Sequence, residues 1–131
     1  MSSDPRVEKL IAAARGVREH AHAPYSGFEV GAAVLAGGRI FTGVNVENAS
    51  FPLSMCAERN AVAAAIAAGA ERVECLAIVT DADEPTAPCG ACRQVLWEFG
   101  HESLVVSMTL GGSRIAWALE DLLPDAFTFE R

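Results

Sequence analysis

The chain has 131 residues, enough for one domain with a real core, and about half of it is hydrophobic (51%). Its formal net charge of −7, with ten scattered Lys and Arg, argues against a nucleic-acid surface, which needs clustered cations. No apolar run reaches the 18 or so residues of a membrane span. The polar start Met1-Ser2-Ser3-Asp4-Pro5-Arg6 does not read as a secretion signal. Four cysteines without such a signal imply a reducing, cytoplasmic setting. There, Cys-x-x-Cys means metal or redox chemistry more often than a structural disulfide.

Ser3 or Asp4 caps a first helix with Pro5 at its first position, and Val7, Leu10, Ile11, Ala14 and Val17 form its apolar face. The helix fades by His22, since Ala23 precedes Pro24. His20 and His22, two apart, point to different sides of a helix and read as surface or loop residues. Pro24-Tyr25-Ser26-Gly27 is turn chemistry. Phe28 to Ala36 and Ile40 to Val46 are then two strands joined at Gly37-Gly38. Gly31, Ala32 and Ala33 suit a sheet face that a helix approaches closely.

Asn45 and Glu47 end the second strand and, two apart in extended chain, face the same way. Together they can grip hydroxyl groups, although spacing alone favours a plain polar loop. Cys56 to Ala68 is an alanine-rich helix, stopped by Gly69 and capped by Ser54, with Cys56 in its first turn. Val73 to Thr80 is a buried strand, parallel to a neighbour. Asp81 to Ala87 is a loop. Pro88-Cys89-Gly90-Ala91-Cys92 opens a second helix that Gly100 stops. Ser103 to Leu110 and Arg114 to Ala118 are strands about Gly111-Gly112, and Leu119 to Leu123 is a short helix before Phe127 and Phe129. The element order indicates α/β architecture: a mixed sheet between helices, in three layers.

Cys89 and Cys92 lie on one helical turn and face one way. With Cys56 they can hold a zinc ion and leave its fourth position to water. A structural zinc site needs a fourth protein ligand, and Cys75, His20, His22 and His101 stand at no partner spacing; Cys75 reads as core. A thiol-redox pair leaves Cys56 and Glu58 unexplained. Three thiolates around Zn²⁺ leave one negative charge, and Arg59 is placed to offset it by donating to the sulfurs. Glu58, two residues from a ligand, can carry a proton between the water and a substrate. Helix-terminus electrostatics is the plainer account of Glu58 taken without the cysteines.

Asn45-Val46-Glu47-Asn48-Ala49-Ser50, Cys56-Ala57-Glu58-Arg59 and Pro88-Cys89-Gly90-Ala91-Cys92-Arg93-Gln94-Val95 closely resemble the cytidine deaminases, in particular their short, homotetrameric, three-cysteine class. The resemblance runs from Pro24 to Phe127. It implies a five-stranded mixed sheet between helices and one Zn²⁺ per subunit, held by Cys56, Cys89 and Cys92. It implies Glu58 as proton shuttle, Asn45 and Glu47 on the ribose hydroxyls, the Ala57 backbone on the pyrimidine edge, and Phe28 near the base. Phe127 is expected in a neighbouring subunit's pocket. Phe51 departs from the family, where a tyrosine is common. The implied reaction is hydrolytic deamination of cytidine and 2′-deoxycytidine, part of pyrimidine salvage. Two alternatives stay open: the same chemistry on another cytosine compound, such as a nucleotide, a polynucleotide or an aminonucleoside antibiotic, and a non-enzymatic zinc module.

Overall fold

The computed structural model of the chain describes residues 4–129. Helix α1 (Pro5–Val17) starts at Asp4, whose carboxylate accepts from the Arg6 backbone N–H. Ser3, the other candidate cap, lies outside the described residues. Val7, Leu10, Ile11 and Ala14 are buried along α1, and a single 3₁₀ turn, Arg18–His20, carries the chain off it.

Strands β1 (Gly31–Ala36) and β2 (Arg39–Val44) form the hairpin; Gly37 and Gly38 take the positive φ (58° and 76°) that its turn demands. Helix α2 (Ala57–Ala67), strand β3 (Cys75–Thr80), helix α3 (Gly90–Gly100), strands β4 (Leu104–Thr109) and β5 (Arg114–Ala118), and helix α4 (Leu119–Leu122) complete the order. The sheet runs β2-β1-β3-β4-β5, with β3 and β4 parallel and the other pairs antiparallel. The expected mixed five-stranded sheet between helices is present. Among the described residues no helix is long and apolar enough to cross a membrane.

Alternation along the central strands supplies two cores. Ala32, Val34, Leu76, Ile78 and Val105 face Ala57, Ala61, Ala65 and Leu96 of α2 and α3. Ala33, Leu35, Cys75, Ala77 and Val79 face α1 on the opposite side. Strands β1 and β3 are therefore buried on both faces, which accounts for their unbroken apolar sequences.

Several boundaries differ from the sequence expectation. Residues Phe28 to Val30 do not join β1, because the Asn45 side chain takes the place of a strand partner. Its Oδ1 accepts from Val30 N (2.8 Å) and its Nδ2 donates to Phe28 O (2.7 Å). Strand β2 stops at Val44, but Val46 remains extended, bridged to His22 on one side and Met55 on the other. The N-cap of α2 is Cys56, not Ser54; Ser54 instead closes a 3₁₀ turn over Phe51–Leu53 and accepts from Asn48 N. Gly100 is the last residue of α3 and does not stop it from outside.

The registers locate the site. Gly31 pairs with Val44 on one side and Val79 on the other. The start of β1 and the carboxyl ends of β2 and β3 therefore share one end of the sheet. The chain leaves β2 there toward α2, and leaves β3 there toward α3. Both helices start at that end, and their free N–H groups converge.

Candidate active site

Cys56 and Cys89 occupy equivalent positions, each the N-cap of its helix, and Cys92 lies one turn into α3. The Cys89 sulfur accepts from Cys92 N (3.4 Å) at the start of α3. Cys56 makes no cap bond with its own helix, and its sulfur turns to Cys89, 3.8 Å away. The Cys89 and Cys92 sulfurs are 3.3 Å apart, and all three sulfurs lie within 4.8 Å of one another.

These distances fit a metal. Zinc–sulfur bonds of about 2.3 Å at tetrahedral angles set sulfurs about 3.8 Å apart. Among the described residues no histidine, carboxylate or fourth cysteine joins the group. Cys75 is 5% exposed in the α1-side core, and burial pushes its thiol up to about 11. The donor set is that of a zinc site with three protein ligands.

The cluster shares protons unevenly without metal. The Cys56 thiol is held down to about 5, first by hydrogen bonding from Cys92, with Cys89 and Arg59 adding to the effect. Cys92 is pushed up by the same hydrogen bond to Cys56 and by burial. The Arg59 guanidinium donates to the Cys56 sulfur at 3.8 Å and to Ser54 O at 3.4 Å. Its positive charge favours the thiolate form of Cys56.

Glu58 is only 8% exposed, in the first turn of α2, yet its side chain lines a cavity of about 420 Å³. Burial, and after it the negative charge of Cys56, raise its carboxyl above the ordinary range. A carboxyl so placed can both accept and return a proton. Cys56, Ala57 and Cys89 share that cavity wall, with Phe28, Asn45 and Glu47. Cys92 is buried behind it. Phe127 is not part of the wall; it is 71% exposed, with its backbone held by both ends of the Gln94 side-chain amide (3.1 and 2.9 Å).

Other participants gave no clear signal in the sequence. Thr86 and Ala87, from the expected loop, complete the cavity wall. Thr86 is held by the Thr80 hydroxyl (3.2 Å) at the end of β3. Arg93 donates to Pro88 O and to Leu122 O, both at 2.8 Å, so it fastens the Cys89 turn to the end of α4. Its place directly after Cys92 was the available clue.

Comparison with known proteins agrees with this geometry. The family model described as "Cytidine and deoxycytidylate deaminase zinc-binding region" matches residues 5–108. The chain belongs to that family. It is 46% identical over 126 residues to a cytidine deaminase of Sporosarcina psychrophila, covering 95% of this chain and 93% of the relative. A cytidine deaminase of Halalkalibacterium halodurans is 43% identical over 125 residues, covering 94% and 95%. The crystal structure of a cytidine deaminase from Burkholderia pseudomallei superposes with a TM-score of 0.88 at 48% identity, covering 92% of this chain and 98% of that one. The Mycobacterium tuberculosis cytidine deaminase structure gives 0.83 at 41% identity, covering 96% and 100%.

Proposed function

We propose that this chain is a zinc-dependent hydrolase that converts cytidine and 2′-deoxycytidine to the corresponding uridines, releasing ammonia. The observation that carries the reading is the meeting of three thiols from two helix N-termini with one buried carboxyl, Glu58, on the wall of a cavity sized for a small molecule.

Zinc held by Cys56, Cys89 and Cys92 supplies a Lewis acid that lowers the pKa of a water. The chain's own residues do the rest. Phe28 flanks the base, and the Ala57 backbone meets its pyrimidine edge. Asn45 and Glu47 take the ribose hydroxyls at the far end of the cavity. Asn45 retains capacity for this, since each of its amide atoms spends one bond on the Phe28–Val30 backbone. Glu58 accepts a proton from the attacking water and passes it to N3. A bond forms between the water oxygen and C4. Glu58 then carries the second proton to the amino group, the C4–N bond breaks, and ammonia leaves.

Glu47 also argues for a nucleoside over a nucleotide. Hydrogen bonds from Ser26 and Tyr25 hold its carboxyl below the ordinary range, so it stays ionised. An anion at the sugar end repels phosphate. The acidic chain likewise disfavours polynucleotides.

Further parts of the reading are a single catalytic domain over 1–131, a cytoplasmic setting in pyrimidine salvage, and a homotetramer in which Phe127 enters a neighbour's cavity. The exposed side chain of Phe127, on a backbone pinned to α3, supports the last. The four free cysteines support the reducing compartment.

Zinc quantification with turnover on cytidine, deoxycytidine, CMP and cytosine tests the function. Loss of the two nucleosides with release of ammonia is expected. Bound zinc without turnover of any of the four overturns it in favour of a zinc module or another cytosine compound.

A further inference from the structure

The proposed mechanism leaves the turn before Phe28 unused, yet that turn is bonded to the sugar end of the cavity. Glu47 Oε1 accepts from Tyr25 N (3.0 Å) and from Ser26 N (3.1 Å), and Oε2 accepts from the Ser26 hydroxyl. The same hydroxyl oxygen accepts from Phe28 N (3.0 Å). One side chain thus works in both directions, donating to the carboxylate and accepting from the residue that flanks the base.

A carboxylate has about four acceptor positions. Two on Oε1 and one on Oε2 are taken by the turn. The position left over is on Oε2, the oxygen that Ser26 holds, and Glu47 lines the cavity. Its backbone is tied as well: Glu47 N donates to His22 O at 2.8 Å. A group with one remaining acceptor recognises one O–H donor.

Resting on the reading that Glu47 meets the ribose, we propose that Ser26 is a positioning residue for substrate selection: its hydroxyl aims the last free acceptor of Glu47 at a sugar hydroxyl and locks that carboxylate to Phe28. Loss of the hydroxyl leaves Oε1 tethered by two backbone N–H groups but frees Oε2 to rotate. The sugar end loosens while Glu58 and the thiols keep their places. Ser26 is exposed, so removing its oxygen opens no core cavity.

The test compares wild type, Ser26→Ala, Ser26→Thr and Glu47→Gln on cytidine and on 2′,3′-dideoxycytidine, the latter read as substrate or as competitor of cytidine. Ser26→Ala is expected to raise KM for cytidine about 10-fold, with kcat within about 3-fold, as befits one hydrogen bond to a charged group. On the dideoxynucleoside the loss is smaller, at most about 3-fold, because that ligand offers no ring hydroxyl to be held and feels only the lost bond to Phe28 N. Ser26→Thr restores the cytidine KM. An equal loss on both ligands, or an unchanged cytidine KM, overturns the proposal. If Glu47→Gln separates the two ligands and Ser26→Ala does not, only the role of Ser26 fails. If Glu47→Gln affects both equally, the Glu47–ribose reading fails and takes this proposal with it. Absence of cytidine turnover in wild type fails the functional reading itself.

Discussion

Glu58 works against the stability of the fold that holds it. Burial raises its carboxyl, so in metal-stripped protein the unfolded chain ionises this group first as pH rises from about 4.5. The folded state is then progressively disfavoured up to the raised value, whereas below the ordinary range both states hold the proton and no penalty arises. Glu58→Gln is therefore expected to make metal-stripped protein more resistant to urea at pH 7 and no different at pH 4; unchanged resistance at pH 7 counts against a buried, uncompensated carboxyl. The same variant is expected to keep one zinc per chain and lose about 100- to 10,000-fold in kcat, the usual range for a general acid–base. Arg59 tests charge compensation separately. Its guanidinium reaches the Cys56 sulfur at 3.8 Å, and Arg59→Ala is expected to weaken zinc binding by about 10- to 100-fold in competition with a chelator. These residues were legible because Cys56, Glu58 and Arg59 are near neighbours in the chain, and Cys89 and Cys92 share one turn.

Helix α2 starts at Cys56 and holds Glu58 in its first turn, so its distance from the sheet sets the site. That distance is short because β2 presents Gly43. A Cβ there would stand 2.4 Å from Ala61 N and 2.5 Å from Ala57 O, both backbone atoms with little freedom to yield. Gly43→Ala is expected to destabilise the protein by about 1–3 kcal/mol, the cost of overpacking, and to lower kcat as Glu58 shifts. Denaturant titration and steady-state kinetics check the two together; full stability with full activity refutes the close-packing account. Gly31 marks a similar approach on the other face, where a Cβ would meet Ala14 O of α1 at 2.0 Å. The small residues of β1 pointed to such an approach in the sequence. Gly43 carried no such signal, since its neighbours Thr42 and Val44 read as ordinary strand.

Across the molecule, the cavity lies where the carboxyl ends of β2 and β3 meet the start of β1, and large apolar side chains stand exposed nearby and on the C-terminal segment. Phe51 is 68% exposed, Leu53 65% and Met55 41%, beside the cavity; Phe127 is 71% exposed on the segment that Gln94 holds. Such exposure fits surfaces covered by further copies of the chain. Sedimentation is expected to show a tetramer. Phe127→Ala is expected to raise KM for cytidine by about 10-fold or more, on the scale of a lost aromatic contact, without loss of zinc. A monomer with full activity removes the shared-site arrangement.

The sequence alone determined which reactive groups stand close together along the chain. Cys89 with Cys92, and Cys56 with Glu58 and Arg59, are local groupings, because neighbours on one helical turn meet whatever the rest of the chain does; that Cys56 meets Cys89 and Cys92 across two helices is tertiary. Helices, strands and their order followed from periodicity and turn residues for the same local reason. The tertiary structure decided what depends on distant partners. It made Cys56 a cap instead of a first-turn residue, and turned the Asn45 amide toward the Phe28–Val30 backbone. It also bound Glu47 to a turn 21 residues earlier. No local pattern encodes such contacts: a side-chain amide or carboxylate bonds whichever backbone the sheet register brings within reach, and here the register set by Gly31, Val44 and Val79 decided it.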